Sequence, residues 1–235
     1  MTMSALVASV MSLGVLLPAP RGELEQHRDT ILFNTPFDPG KRLEFPLFDT
    51  RSGARQLLSV TIDVFQSGAT VFNFDNDDPN RPAQVEASIL RQFLLTGPGI
   101  TAFGTLSLHT PVFYVAPDDG DGSVFAPDSP DGLSFTFSYT DLLVGRFRPP
   151  ASLYESNGSG RFSLDVPGHG APGSGYLFLD ELRLLGVPPD PYQYQFTDTF
   201  HAISAVVMYE YTPEPGTLMF VLVALTAAAR RVRRF

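Results

Sequence analysis

Leu133-Ser134-Phe135-Thr136-Phe137-Ser138-Tyr139 alternates without a break: Leu133, Phe135, Phe137 and Tyr139 fall on one side of an extended chain, Ser134, Thr136 and Ser138 on the other. A period of two is the signature of a β-strand with one buried face, because successive side chains point to opposite sides. The same alternation recurs at Val60, Ile62 and Val64, at Leu106 and Leu108, at Phe162, Leu164 and Val166, and at Ile203, Ala205, Val207 and Tyr209. No helical period of comparable length is sustained between Gly22 and Pro213. Turn chemistry separates the runs at 75–82 (DNDDPNRP), 117–122 (PDDGDG), 127–132 (PDSPDG), 156–160 (SNGSG) and 168–175 (GHGAPGSG). The pattern predicts an all-β fold, an antiparallel β-sandwich in which each strand buries one face against an opposing sheet. A chain of 235 residues with 21 prolines, 20 glycines and 20 phenylalanines suits one such domain of short strands and turns.

Charge and cysteine content narrow the function. All 25 acidic residues lie between Glu23 and Glu214. A region so acidic repels phosphate, so nucleic acid is excluded as a partner of the domain. The absence of cysteine removes disulfides, thiolate metal sites and thiol nucleophiles.

Both ends of the sequence depart from the pattern of the middle. Ala5 to Leu17 (ALVASVMSLGVLL) is uncharged, apolar and about as long as a signal-peptide core, so 1–22 is expected to be a signal peptide read by the Sec translocon. No Lys or Arg precedes that run, and Pro18-Ala19-Pro20-Arg21-Gly22 departs from the usual small-residue cleavage pattern. At the other end Pro213-Glu214-Pro215 cannot continue a strand, since neither proline donates a backbone hydrogen bond. The apolar stretch TLMFVLVALTAAA (217–229) follows, and then Arg230, Arg231, Arg233 and Arg234. As a helix this stretch spans only about 20 Å, short of a ~30 Å hydrocarbon core, with the arginines held on the cytoplasmic side. The expected organisation is thus a signal peptide over 1–22, a β-sandwich domain over 23–212, and a sorting tail with a short transmembrane helix over 213–235.

The order of the three tail blocks resembles the PEP-CTERM family of sorting tails. The resemblance implies recognition of Pro213, Glu214 and Pro215 by exosortase, a membrane-embedded cysteine protease of Gram-negative bacteria, with the arginine cluster as membrane retention element. It also implies export to the cell surface and company with exopolysaccharide. The middle resembles the choice-of-anchor E domain through Phe48-Asp49 with Leu57 to Val64 (LLSVTIDV), the segment from Phe135 to Tyr154, and Ser204 to Thr212 (SAVVMYEYT). That domain implies no reaction.

Sites of chemistry were weighed in turn. Asp75, Asp77 and Asp78 cluster, as do Asp118, Asp119 and Asp121, and oxygen-rich loops of this kind suit calcium. Neither run has EF-hand spacing: counting from Asp75 the fifth and sixth positions are Pro79 and Asn80, and counting from Asp119 the twelfth is Pro130. The expectation is therefore solvated acidic turns and no bound cofactor, with Asp75, Asp77, Asp119 and Asp121 the residues a calcium ion would use. His27, His109, His169 and His201 stand apart, with neither a His-Glu-x-x-His pair nor a Gly-x-Ser-x-Gly elbow. Asn157-Gly158-Ser159 reads as turn chemistry. The chain is accordingly expected to be a non-enzymatic surface or matrix protein. The alternative is a secreted carbohydrate-binding module, or a glycosidase with a carboxylate pair.

Overall fold

The computed structural model describes residues 22–33, 39–167 and 177–212. Twelve strands run through them: β1 (Glu23–Phe33), β2 (Lys41–Pro46), β3 (Phe48–Asp49), β4 (Gln56–Asp75), β5 (Ala83–Gly97), β6 (Ile100–His109), β7 (Phe113–Val115), β8 (Gly132–Phe147), β9 (Glu155–Ser156), β10 (Arg161–Val166), β11 (Leu177–Leu184) and β12 (Gln193–Thr212). Among the described residues there is no α-helix, only a 3-10 turn at Ala151–Leu153. One sheet is ordered β1-β12-β4-β8; the other runs β11-β5-β10-β2, with β6 and β7 also pairing with β5. Both are antiparallel, and the one parallel pair is the two-residue ladder of β3 and β9. The all-β sandwich expected from the alternation is what the chain forms. The segments 1–21 and 213–235, where the signal peptide, the sorting residues and the transmembrane helix are expected, lie outside the described residues, and no described helix is long and apolar enough to cross a membrane.

β4 and β12 are each 20 residues long, about 65 Å at 3.3 Å per residue, and they pair from Asp75 with Gln193 to Gln56 with Thr212. These two strands give the sandwich two poles. At one, β12 ends and β1 begins, with Glu23 opposite Tyr211. At the other, β4 ends, β8 begins with Gly132 opposite Asp75, and β12 begins.

The core between the sheets is split in the same way. Val60, Ile62 and Val64 of β4 pack near the terminal pole with Phe93, Phe162, Leu164 and the run from Ile203 to Tyr209. Phe72 and Phe74 pack near the far pole with Val85, Ile89, Leu106 and Phe137. Fully burying each such side chain contributes about 1.5–3 kcal/mol. In LSFTFSY, Phe137 and Tyr139 are buried, Leu133 and Phe135 half-buried, and the three hydroxyl residues exposed.

A belt of polar groups separates the two clusters. On β5 the inward positions are Ala83, Val85, Ala87, Ile89, Arg91, Phe93 and Leu95, so Arg91 occupies a core position and is 1 % exposed. Its guanidinium reaches Asp180 Oδ1 of β11 at 2.6 Å, and Asp198 Oδ1 of β12 and Thr70 Oγ1 of β4 at 2.7 and 3.0 Å. The Phe178 ring lies 4.5 Å from the guanidinium carbon. A β-bulge in β12 between Asp198 and Phe200 makes this possible. The inserted residue shifts the alternation by one, so that Asp198, opposite Thr70, and His201, opposite Gly68, both face inward.

Candidate cation site

The far pole is built from two connections that both cross between the sheets. One leaves β4 at Asp75 and enters β5 at Ala83; the other leaves β7 at Val115 and returns to β8 at Gly132. Since Ala83 is paired with Val115 and Asp75 with Gly132, the two crossovers start and end beside one another. Backbone bonds join them: Asp118 N–H donates to Asp78 O (3.0 Å) and Asn76 N–H to Asp131 O (3.1 Å). The Asn76 amide adds bonds to Arg81 O and Ala116 O at 2.8 and 2.6 Å.

The second crossover folds back over the outer face of β4. Ala126 N–H donates to Asp75 Oδ2 at 2.6 Å, and a Cβ at position 132 would meet Ala126 O at 2.5 Å, so glycine is required where β8 starts. Asp75 is thereby sealed from solvent (0 % exposed), and its second carboxylate oxygen, Oδ1, has no hydrogen-bond partner. Burial raises the Asp75 pKa above the usual carboxylate range, and the charges of Asp131 and Asp77 add to the rise.

Four more carboxylates converge on one another within the second crossover. Asp118, Asp119, Asp121 and Asp131 each place an oxygen within 4.8 Å of one another. Asp131 is buried, with Oδ2 accepting the Asp119 N–H at 3.1 Å and Oδ1 the Ser129 hydroxyl. Asp118 Oδ1 accepts the Gly120 N–H (2.9 Å) and Asp119 Oδ1 the Asp121 N–H (3.3 Å), with Gly120 and Gly122 supplying the positive φ the tight turn demands. The Asp121 carboxyl is also pushed up in pKa, by lost hydration and by the charges of Asp119, Asp131, Asp75 and Asp118. Asp77 accepts the Gln193 amide at 3.1 Å. Asp78 is different in kind. Backbone N–H groups of Asn80 and Asp190 donate to it and lower its pKa, and Arg81 lies 3.9 Å away.

The four calcium candidates thus come to one pole. The expectation of solvated turns fits Asp119 and Asp121, which are exposed, but not Asp75 and Asp77, which are buried. Sequence reasoning missed Asp131, because it stands twelve positions beyond Asp119 in a stretch that reads only as a Pro-Asp-Gly turn. The histidines are dispersed. His27 pairs with Glu25 and His109 with Ser107; His201 is buried against Tyr139 at 3.1 Å; His169 lies outside the described residues. Burial lowers the His201 pKa to about 4, so the ring is neutral. Asn157 is tied to Thr50 in an exposed turn.

No protein-family model matches this chain, and no curated protein matches it. Among solved structures, the empty capsid of turnip yellow mosaic virus at 100 K is similar with a TM-score of 0.16 and 11% identity, over 88% of this chain and 90% of that one. The Gt strain of infectious bursal disease virus gives a TM-score of 0.13 and 11% identity, over 84% of this chain and 43% of that one. Likeness at this level carries no argument, and the functional reading rests on the residues of the chain itself.

Proposed function

We propose that the chain is an exported, non-enzymatic component of a Gram-negative cell surface or extracellular matrix, sorted through its tail by an exosortase and associated with exopolysaccharide. The observation that carries the reading is the ordered tail: Pro213-Glu214-Pro215, the apolar stretch 217–229, then Arg230, Arg231, Arg233 and Arg234. Strand registry is consistent with it. Thr212 is the last residue of β12, and Tyr211 beside it is held by its hydroxyl to Glu23 at 2.8 Å and by Arg55, whose guanidinium carbon stands 3.9 Å from the ring. Pro213 therefore follows a firmly held strand end, which would give a protease a defined substrate. The test is to carry an epitope in the exposed turn at Gly158 and compare the protein's size and location with and without the exosortase. A shorter product released from the membrane only when the protease is present is expected, with Glu214→Ala blocking it; equal size and permanent membrane retention in both cells would refute the reading.

A carbohydrate-binding role is the second reading, and one feature favours it. The rings of Tyr192 and Tyr194 stack at 6.3 Å with planes 25° apart, and Tyr194 is 53% exposed, so together they offer a face on which a sugar could lie. Affinity electrophoresis through a polysaccharide-loaded gel should retard the protein and Tyr194→Ala should run free; identical mobility of the two would dispose of this role.

A further inference from the structure

Asn157-Gly158 is the one Asn-Gly pair in the sequence, and it forms an exposed turn directly after β9. Asparagine before glycine is open to self-modification, because glycine has no side chain to hinder the approach of its backbone nitrogen to the asparagine side-chain carbon. In this turn two neighbouring residues at the end of β3 hold both reacting groups. The Gly158 N–H donates to Asp49 Oδ1 at 3.0 Å, and the Asn157 side-chain oxygen accepts the Thr50 hydroxyl at 2.5 Å. The Gly158 carbonyl is held as well, by the Ser156 hydroxyl at 2.8 Å and the Gly160 N–H at 3.2 Å. Asp49 also accepts the Arg51 N–H, and the two backbone donors lower its pKa, so its carboxylate is ionised at neutral pH.

We propose that Asn157 is a self-modification site, deamidating through a succinimide formed with Gly158, and that Asp49 and Thr50 keep it latent while β3 and β9 stay paired. In the first step the Gly158 nitrogen bonds to Asn157 Cγ, the Cγ–Nδ2 bond breaks, and the proton of the attacking nitrogen leaves with the amino group as ammonia. Water then opens the ring at Cγ to give aspartate, or at the main-chain carbonyl to give isoaspartate. The attack requires the Gly158 nitrogen to give up its proton. Beside Asp49 that sets a second negative charge against an ionised carboxylate, which opposes it. The attack also requires Asn157 to turn about its main-chain bonds, which breaks the hydrogen bonds made by Asp49, Thr50 and Ser156. The latch is short, for β3 and β9 pair only through Phe48 with Glu155 and Asp49 with Ser156. A two-residue ladder ending in an exposed turn opens locally at lower cost than the sandwich unfolds. Each opening exposes the pair to reaction, and isoaspartate, with one more carbon in the main chain just after β9, prevents the turn from closing as before. The modification thus records openings of this ladder and makes them permanent. The inference does not depend on the sorting reading.

The test follows the full-length chain in neutral buffer, folded and in denaturing urea, by mass spectrometry with peptide mapping. Conversion of Asn157 to aspartate and isoaspartate is expected to be at least about tenfold slower in the folded chain, where two hydrogen bonds must break and one of them is to a charged group. Asp49→Ala should raise the rate in the folded chain by about tenfold, with the β-sheet circular dichroism unchanged. The comparison of the parent chain with itself needs no variant to fold. Equal rates in the folded and unfolded parent, or a folded Asp49→Ala chain no faster than the parent, would overturn the latch; conversion at another asparagine ahead of Asn157 in the unfolded chain would overturn the site.

Discussion

The polar belt and the far pole each gather aspartates, wholly or partly buried at the belt and at Asp75 and Asp131, and they resolve the charge in opposite ways. In the belt, Asp180 and Asp198 flank Arg91, which is itself shielded by Thr70 and the Phe178 ring. Burial raises the Asp180 pKa, and Arg91 beside it pulls the other way by charge and hydrogen bond. At the far pole Asp75, Asp119 and Asp131 accept backbone or side-chain donors, and among the described residues no cation pairs with them or with Asp121. Hydrogen bonds orient carboxylates; they do not cancel lost hydration and the repulsion among them, which is why Asp75 and Asp121 stay raised in pKa while Asp78, fed by two backbone donors and an arginine, is lowered. One region is closed chemistry. The other keeps its negative charges among hydrogen-bond donors alone.

The belt should give the larger effect when broken. Arg91→Met keeps the apolar stem of the side chain and strands two half-buried carboxylates, so urea denaturation should show a loss of about 3 kcal/mol. A loss below ~1 kcal/mol would mean that water reaches the belt and that its charges are no different from surface ones.

The belt also carries a pH dependence. His201 is neutral in the fold with its pKa lowered to about 4, while the unfolded chain protonates near the ordinary value of 6.5. Folding thus depresses the pKa, and the unfolded state takes up the proton first. Stability is complete above about pH 6.5 and falls through the window down to about pH 4, by roughly 3 kcal/mol from this ring. Nuclear magnetic resonance of the imidazole should give a midpoint near 4; a midpoint near 6.5 would remove the histidine from the core.

A neutral tie sets the scale below these. The Tyr154 hydroxyl donates to Pro98 O at 2.6 Å, and burial raises its pKa to about 12. Tyr154→Phe should cost about 1 kcal/mol in the same denaturation, with no change in pH dependence between 4 and 6.5. A cost matching that of Arg91→Met would erase the distinction between charged and neutral ties.

What could be read in advance follows from where alternation is clean. LSFTFSY, the 203–209 run and the 60–64 run carry their hydrophobic residues at every second position, and all became sandwich strands. β5 is harder, because Arg91 takes an inward position while Leu90 and Leu94 lie on the other face; Ile89, Leu90, Phe93 and Leu94 then fall at helical as readily as at strand spacing. The partners of Arg91 were beyond reach, since Asp180 and Asp198 come from distant strands and the bulge that turns Asp198 inward leaves no mark in composition. At the far pole the aspartates themselves were legible, but not their union. Two acidic turns 40 residues apart become one site only because Ala83 pairs with Val115 and Asp75 with Gly132.

The comparison turns on a sign, and a paired measurement reads it. In chelator, thermal unfolding of Asp198→Asn should fall below that of the parent chain, because Arg91 loses a partner, whereas Asp75→Asn, of equal volume and still able to accept the Ala126 N–H, should unfold roughly 2 °C higher. If both substitutions lower the unfolding temperature, the far pole is not short of positive charge and the account is wrong.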